Sequence, residues 1–334
     1  MLERRASLVL GVAVAIAVAG LAFRSGGPSA WWRDFTNPVL VGSGSQRLTS
    51  ASSNNRWTWW KEAGRVFAKA PLEGKGAGSF QIARRPIRRN PLNVTEPHST
   101  PLQFLSELGI VGFLLGLAAA AAATLAVVRA VRRLDAAALA LGLGVAAYAV
   151  HSLVDYDWEF VAVTGPTLLV VGVLAGSGRP VRVPERRPVA AGIVLVTTLA
   201  ALYSLGAPWL AAKEVNQSYA ALDRTDVASA ASKARSARRL NPFSYDPLWA
   251  LAAAYQLDGD PADAIHAYEQ AVELQPENSD TWYALGQYEF DTGRFARACF
   301  ALDRAYGLDP RGPAGDPGGL LDRVKQRLPG CPAS

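Results

Sequence analysis

Two kinds of apolar pattern divide the chain. Up to about residue 212 apolar residues come in long runs, and from 213 to 334 they recur among polar residues at helical spacing. Runs near 20 residues match the thickness of a bilayer's hydrocarbon core. Five are expected to cross a membrane: Ser7–Phe23, Pro101–Val128, Ala136–His151, Phe160–Gly176 and Val189–Ala212. The third is short and Ala-rich. The first reads either as a signal peptide with Arg4 and Arg5 as its basic start or as an uncleaved span; no clean small-residue cleavage site precedes Arg24, which favours the span. The fold class expected is all-α, a polytopic membrane helical bundle followed by a soluble α-solenoid.

The solenoid follows from a period of 34 residues in the polar third of the chain. Leu251 aligns with Leu285, Gly259 with Gly293, Ala264 with Ala298, Ala271 with Ala305, Leu274 with Leu308 and Pro276 with Pro310. Ala230, Ala237, Leu240 and Pro242 continue the series one period upstream. Small residues where paired helices touch, with a proline after the second helix, resemble the tetratricopeptide repeat: two good units and a degenerate one. Stacked helix pairs bury a core together that none could bury alone. The repeats would serve as a docking or spacer module, or hold acceptor or polymer in their groove; His266 reads as a solvated surface residue.

Charge orders the first two thirds. The net charge is +6, from 34 basic and 28 acidic residues. Arg4 and Arg5, then Arg129, Arg132 and Arg133, then Arg179, Arg182, Arg186 and Arg187 flank alternate ends of the apolar runs, and the positive-inside rule makes all three groups cytoplasmic. The expected organisation is a membrane helix at 1–23, an extracytoplasmic segment at 24–100 with an interfacial helix and a basic cluster, four membrane helices at 101–212, repeats at 213–310 and a C-terminal tail at 311–334. One basic cluster, Arg84, Arg85, Arg88 and Arg89, falls on the outer segment and calls for another reason. The two cysteines, Cys299 and Cys331, are too few for a disulfide framework, and Cys299 falls at a helix-packing position as a small core residue. No C-x-x-C or H-E-x-x-H occurs, so no metal site and no cofactor is expected, nor a nucleic-acid partner.

Candidate chemistry gathers on the outer side. In "RWTWWKEAGRVFAKAPLEGKGAGSF", Trp57, Trp59, Trp60 and Phe67 suggest an amphipathic helix at the interface, started by Asn54 or Asn55, ended by Pro71 and followed by a glycine turn from Gly74 to Phe80. Arg56 starts that helix. It and the four clustered arginines suit a diphosphate clamp, because guanidinium forks bind phosphate oxygens in pairs and stay charged; solvated or lipid-contacting arginines are the plain alternative. In "EPHSTPLQFLSELGIVG", Thr100 and Gln103 read as a capping box and Pro101 suits the first helical turn. His98 and Ser99 therefore stand at a helix N-terminus, where unpaired N–H groups favour an anion. Gly109 and Gly112 would allow close helix packing, and Glu107 would turn toward protein or a wet cleft. His151, Asp155, Asp157 and Glu159 form a second polar cluster, either a hydrated loop or an auxiliary acid–base edge.

The pattern His98-Ser99-x9-Gly109-x2-Gly112, the Arg-Trp…Pro-Leu-x-Gly-x-Gly…Phe segment and "HSLVDYDWEF" together resemble the O-antigen ligase family of bacterial membrane glycosyltransferases over roughly residues 50–176. The resemblance implies transfer of a glycan from an undecaprenyl-diphosphate carrier to a hydroxyl of a lipid or protein acceptor, on the outer face of the bacterial inner membrane, without nucleotide sugar or divalent metal. It maps an essential histidine onto His98 and an early arginine onto Arg56. A second arginine falls among Arg84, Arg85, Arg88 and Arg89, with Arg88 or Arg89 favoured by nearness to His98. Family members usually carry ten or more spans, so the five expected here correspond to the C-terminal half of such a bundle. Two further readings stay open: a polysaccharide polymerase of the same superfamily, and a non-catalytic membrane anchor presenting the repeats as a scaffold.

Overall fold

A computed structural model describes residue 20 and residues 27–37, 50–132, 136–176 and 187–331. The expected span Ser7–Phe23, save Gly20, lies outside the described residues, as do Arg4, Arg5, Arg133, Arg179, Arg182 and Arg186. Among the described residues all regular structure is helical. The chain divides into two compact units: residues 1–84 with 93–178, and residues 85–92 with 179–334.

In the first unit the Arg56–Lys69 helix buries Thr58, Trp59, Glu62, Ala63 and Val66 and packs against the Thr100–Val131 helix. Its other face turns Trp57 and Trp60 toward Trp32 and Phe35 of the Gly27–Thr36 helix, with ring centroids 5.3–6.1 Å apart. The expected interfacial helix is therefore packed into protein along one side and carries an aromatic cluster on the other.

Thr100–Val131 is 32 residues long and apolar enough to cross a membrane, as is Ala191–Leu222. Ala136–His151 and Val161–Gly176 have 16 residues each. At 1.5 Å per residue that is about 24 Å, short of a roughly 30 Å hydrocarbon core. Two helices of spanning length and composition are thus found among the described residues, against five expected spans. The two short helices nonetheless expose Leu143, Val150, Leu168 and Leu169, apolar surface that water does not favour.

The long helix is broken at Gly109, which takes φ 66° and ψ −168°. The break frees backbone groups, and the turn after the Arg56–Lys69 helix satisfies them. Ile110 N–H donates to Pro71 O at 2.8 Å, Gly76 N–H to Glu107 O at 2.8 Å and Lys75 N–H to Ser106 O at 3.2 Å. The approach is so close that a Cβ on Gly109 would lie 2.2 Å from Leu72 O, and one on Gly74 would lie 2.2 Å from Glu107 O. Gly109 therefore serves a backbone break rather than the helix–helix packing expected of it.

The second unit stacks helix pairs. Asp246–Asp258 pairs with Pro261–Leu274, and Ser279–Asp291 with Phe295–Leu308. The degenerate upstream unit is the end of the Arg187–Leu222 helix set against Val227–Leu240, so the fifth expected span runs on without interruption into the first repeat. Ala230, Ala264, Ala271 and Ala298 are fully buried, which lets paired helices approach. Gly259 and Gly293 both take φ 77°, the left-handed conformation that ends a helix at least cost in glycine. The Leu320–Arg327 helix caps the stack, burying Leu320, Leu321 and Val324 against Leu302. Cys299 is not a lone core residue as expected: it forms a disulfide with Cys331, which fastens the end of the chain to the last repeat helix.

Candidate functional site

His98 lies two residues before the Thr100–Val131 helix with φ 53°, a left-handed conformation uncommon for a residue with a side chain. Neighbours hold it there. The Trp60 indole N–H donates to His98 O at 3.1 Å. The Trp59 ring stacks on the imidazole at 4.9 Å and the Tyr156 ring meets it edge-on at 4.3 Å. The helical spacing that buries Trp59 thus also builds one wall of the site.

Asp155 joins the groups. Its Oδ1 lies 2.9 Å from His98 Nδ1, and its Oδ2 accepts from Arg56 Nη2 at 2.7 Å. The Tyr156 N–H also donates to Oδ1, at 3.0 Å. An ionised carboxylate only accepts, so Nδ1 carries the imidazole proton and Nε2 is left with its lone pair. Burial lowers the pKa of His98; the hydrogen bond and negative charge of Asp155 oppose this in part, and the Arg56 charge adds to it. For Asp155, burial alone would raise the pKa, but the bonds from His98 and Tyr156 N–H and the Arg56 charge outweigh it and the net shift is downward. The result is a neutral histidine on an ionised aspartate, beside a guanidinium 35% exposed.

Two further ties fix the Asp155 loop to the helix start. Thr100 N–H donates to Ser152 O at 3.0 Å, and Gln103 Nε2 to Glu159 Oε1 at 2.6 Å. Gln103 is therefore committed to Glu159, and no side-chain cap forms at Ser99, so the expected capping box is replaced by a loop tie. Ser99 is buried, 3% exposed.

The other candidate residues part ways. Glu107 is buried, and its carboxylate accepts from the N–H groups of Gly78 and Phe80 at 2.9 and 3.3 Å, pinning the glycine turn. His151 does not join His98; it contacts Asp157 at 2.5 Å on the exposed side of the loop. The arginine cluster is divided between the two units. Arg84, 1% exposed, is paired with Glu62 at 2.8 Å inside the first unit. Arg85 and Arg88 belong to the second unit, where they bind Asp280 and Asp309 at 2.8 and 2.7 Å. Buried and paired guanidiniums do not offer their forks to a substrate. Arg89 is exposed.

Sequence reasoning missed Trp59, Trp60 and Tyr156 as the walls of the histidine, and Asp155 as the bridge between His98 and Arg56. The signal was present in "DYDWEF", but only the hydrogen bonds decide which histidine takes which carboxylate. Among the described residues no group of three or more His, Cys, Asp or Glu is arranged to hold a metal ion.

Residues 1–117 match the O-antigen ligase family. Arg56, Trp59 and His98 fall inside that match, and Asp155 lies beyond it. Residues 258–313 match the tetratricopeptide repeat, the stretch in which the helix pairs are most regular. No curated protein shows significant similarity to the chain. The family match and the two long apolar helices support membrane association, the match over residues 1–117 suggests a function of the O-antigen ligase and polymerase type, and the repeats suit protein interaction.

Proposed function

We propose that the chain carries the acid–base site of an O-antigen-ligase-like glycosyltransferase, which moves a glycan from an undecaprenyl-diphosphate carrier to an acceptor hydroxyl on the outer face of the bacterial inner membrane. The observation that carries this reading is the Arg56–Asp155–His98 array at the start of the Thr100–Val131 helix. In it, Asp155 holds the Nδ1–H tautomer, so Nε2 accepts the acceptor's proton as its oxygen attacks the anomeric carbon. The lowered pKa keeps that nitrogen unprotonated at neutral pH. General-base assistance of this kind is worth about 10²–10⁴-fold. Negative charge builds on the departing lipid diphosphate, and Arg56, partly exposed and oriented by Asp155, is placed to meet it. Attack opposite the leaving group inverts the anomeric centre.

The apolar helices would form part of the membrane bundle, with segment 24–100, loop 152–159 and the repeats on the outer side. The Cys299–Cys331 disulfide supports the outer placement of the repeats, because such bonds persist in oxidising compartments. The deciding experiment is glycan transfer from a lipid-diphosphate donor in vesicles. His98→Ala and Arg56→Ala are expected to abolish transfer while leaving membrane insertion intact. Transfer by His98→Ala at the wild-type rate would overturn the assignment and favour a scaffold role for the chain.

A further inference from the structure

Gly109 does more than break the long helix: the chain folds back there. A Cβ on Gly112 would lie 2.2 Å from Leu108 Cβ, and one on Gly116 would lie 2.5 Å from the Phe104 ring. In an unbroken helix residues 104 and 116 stand about 18 Å apart along the axis. Residues 100–108 therefore form an arm laid against the helix beyond the break, with Leu108 over Gly112 and Phe104 over Gly116. Two glycines four apart offer the shallow groove that such close packing needs. The turn after the Arg56–Lys69 helix holds the corner. His98 stands at the far end of the arm. The arm also meets the Asp155 loop along its length. Thr100 N–H donates to Ser152 O at 3.0 Å, Gln103 Nε2 donates to Glu159 Oε1 at 2.6 Å, and the Phe104 ring meets the Trp158 ring edge-on at 5.6 Å. Phe104 is thus in contact with both the glycine groove and the loop. The 2.9 Å bond between His98 and Asp155 is made where arm and loop come together. All of these residues lie in the first unit.

We propose that Phe104, seated on Gly116, is a positioning residue: it sets the register of the arm against the loop, and so the distance from His98 to Asp155. Its kinetic consequence rests on the glycan-transfer reading. Phe104 reaches the reaction only through the arm. A ring pushed off Gly116 carries its backbone with it, and the arm moves relative to the loop. Hydrogen bonds weaken steeply with lost alignment, so a small slip costs His98 the carboxylate that fixes its tautomer. Gly112 guards the same register nearer the corner, because a Cβ there meets Leu108 Cβ rather than the yielding end of a side chain. The second glycine of the motif thus does the packing that the first does not.

The test uses the full chain in lipid nanodiscs, with Gly116→Ala alone and combined with Phe104→Leu. Alanine favours a helix over glycine, so a loss in Gly116→Ala reports the crowding of Phe104 and not helix propensity. Thermal melting checks that the fold is kept, and transfer is read as separate kcat and KM for the lipid-diphosphate donor. Nitrogen NMR of the imidazole reads the His98 titration midpoint and which ring nitrogen carries the proton. The chain has three histidines, so the His98 signals are assigned by their loss in His98→Gln. With positioning, Gly116→Ala lowers kcat about tenfold or more and keeps KM within about twofold, since small misplacements of a catalytic group are costly. Its His98 midpoint moves further down, because the Asp155 bond that raises it is loosened, and the Nδ1–H form loses its dominance. Adding Phe104→Leu makes room, restores the midpoint and brings kcat back to within about threefold of wild type, the non-additivity expected of residues in contact. A wild-type kcat and midpoint in Gly116→Ala, or a loss that Phe104→Leu does not relieve, overturns the proposal. Should Gly116→Ala fail to fold, Phe104→Ala removes the ring without adding bulk, and an unchanged His98 midpoint there counts equally against it. If the wild-type protein transfers no glycan, the function reading fails, and the midpoint and tautomer of His98 still decide whether Phe104 positions it.

Discussion

Asp155 and Asp309 each hold an arginine at 2.7 Å, and the two pairs do opposite work. At Asp309 the partner guanidinium is gripped along two parallel bonds, and neither side chain has more than a sliver of surface. At Asp155 one carboxylate oxygen goes to Arg56 and the other to His98, while Arg56 keeps a third of its surface open. The buried pair spends its hydrogen bonds on itself and on the Pro91 carbonyl, which accepts from Arg88 Nη1 at 3.1 Å, and so fixes geometry. The open pair leaves donors unspent and orients a histidine whose second nitrogen is available. Burial and sharing, not residue type, separate an arginine that holds a fold from one that can meet a substrate.

The sharpest way to break that contrast is at the open pair. His98→Ala removes the only group there that can take a proton at neutral pH, and transfer is expected to fall about 10²–10⁴-fold. Repeat-unit melting is expected to stay at its wild-type value, since His98 belongs to the other unit. Donor-dependent transfer and thermal melting on the same preparation check both halves. An equal loss of stability in the repeats would mean the two regions are not separable as described.

The buried pair is expected to behave in reverse. Arg88→Ala leaves Asp309 charged and 4% exposed without its partner, and removing one member of a buried pair costs about 3–5 kcal/mol. Denaturant unfolding of the repeat unit measures it. A change below about 1 kcal/mol would place Arg88 among surface ion pairs instead.

These two arginines mark where the sequence stopped being legible. The period of 34 disclosed the repeats because Ala264, Ala271, Ala298 and Ala305 recur wherever helices must touch. The start of the long apolar helix was readable from Pro101, and His98 from its place before it. The partners of Arg85 and Arg88 are nearly 200 residues or more away in the chain, and no local pattern announces a pairing of that span. Nor did spacing show that Gly109 breaks its helix. A glycine in an apolar run reads as a packing residue, and only the turn at Leu72 explains its φ of 66°. Asp155 and Asp157 are alike in sequence; the fold gives the first to His98 and the second to His151.

A smaller effect separates the glycines of the two units. Gly293 ends a repeat helix at φ 77°, where an added Cβ costs about 1–2 kcal/mol whatever the space around it. Gly64 is exposed within the Arg56–Lys69 helix, with no neighbour near an added Cβ. Gly293→Ala should therefore destabilise the repeats, while Gly64→Ala should stabilise its helix by about 0.5–1 kcal/mol. Melting of the two variants in parallel checks the opposite signs.

The finest probe is pH, because it acts on the open pair without altering an atom. Protonating His98 removes the base, so transfer should fall on the acid side with a midpoint below the ordinary histidine value near 6.5, the direction in which burial moves it. The same shift enters stability. Below that ordinary value the unfolded chain binds a proton that the folded site resists, so His98 lowers stability as pH falls through it. Asp155 acts in the other window, since its lowered pKa supplies stability above the unfolded value near 3.8 that is lost as pH falls through its folded one. Replacing Asp155 with Asn distinguishes its two roles. The aspartate raises the histidine's pKa, so its loss should move the acid limb of transfer to still lower pH while cutting the maximal rate, because the tautomer and Arg56 are no longer held. A pH–rate profile of wild type against Asp155→Asn reads both. A limb that stays in place would show that His98 is not the titrating group, and the open pair would then differ from the buried one only in its exposure.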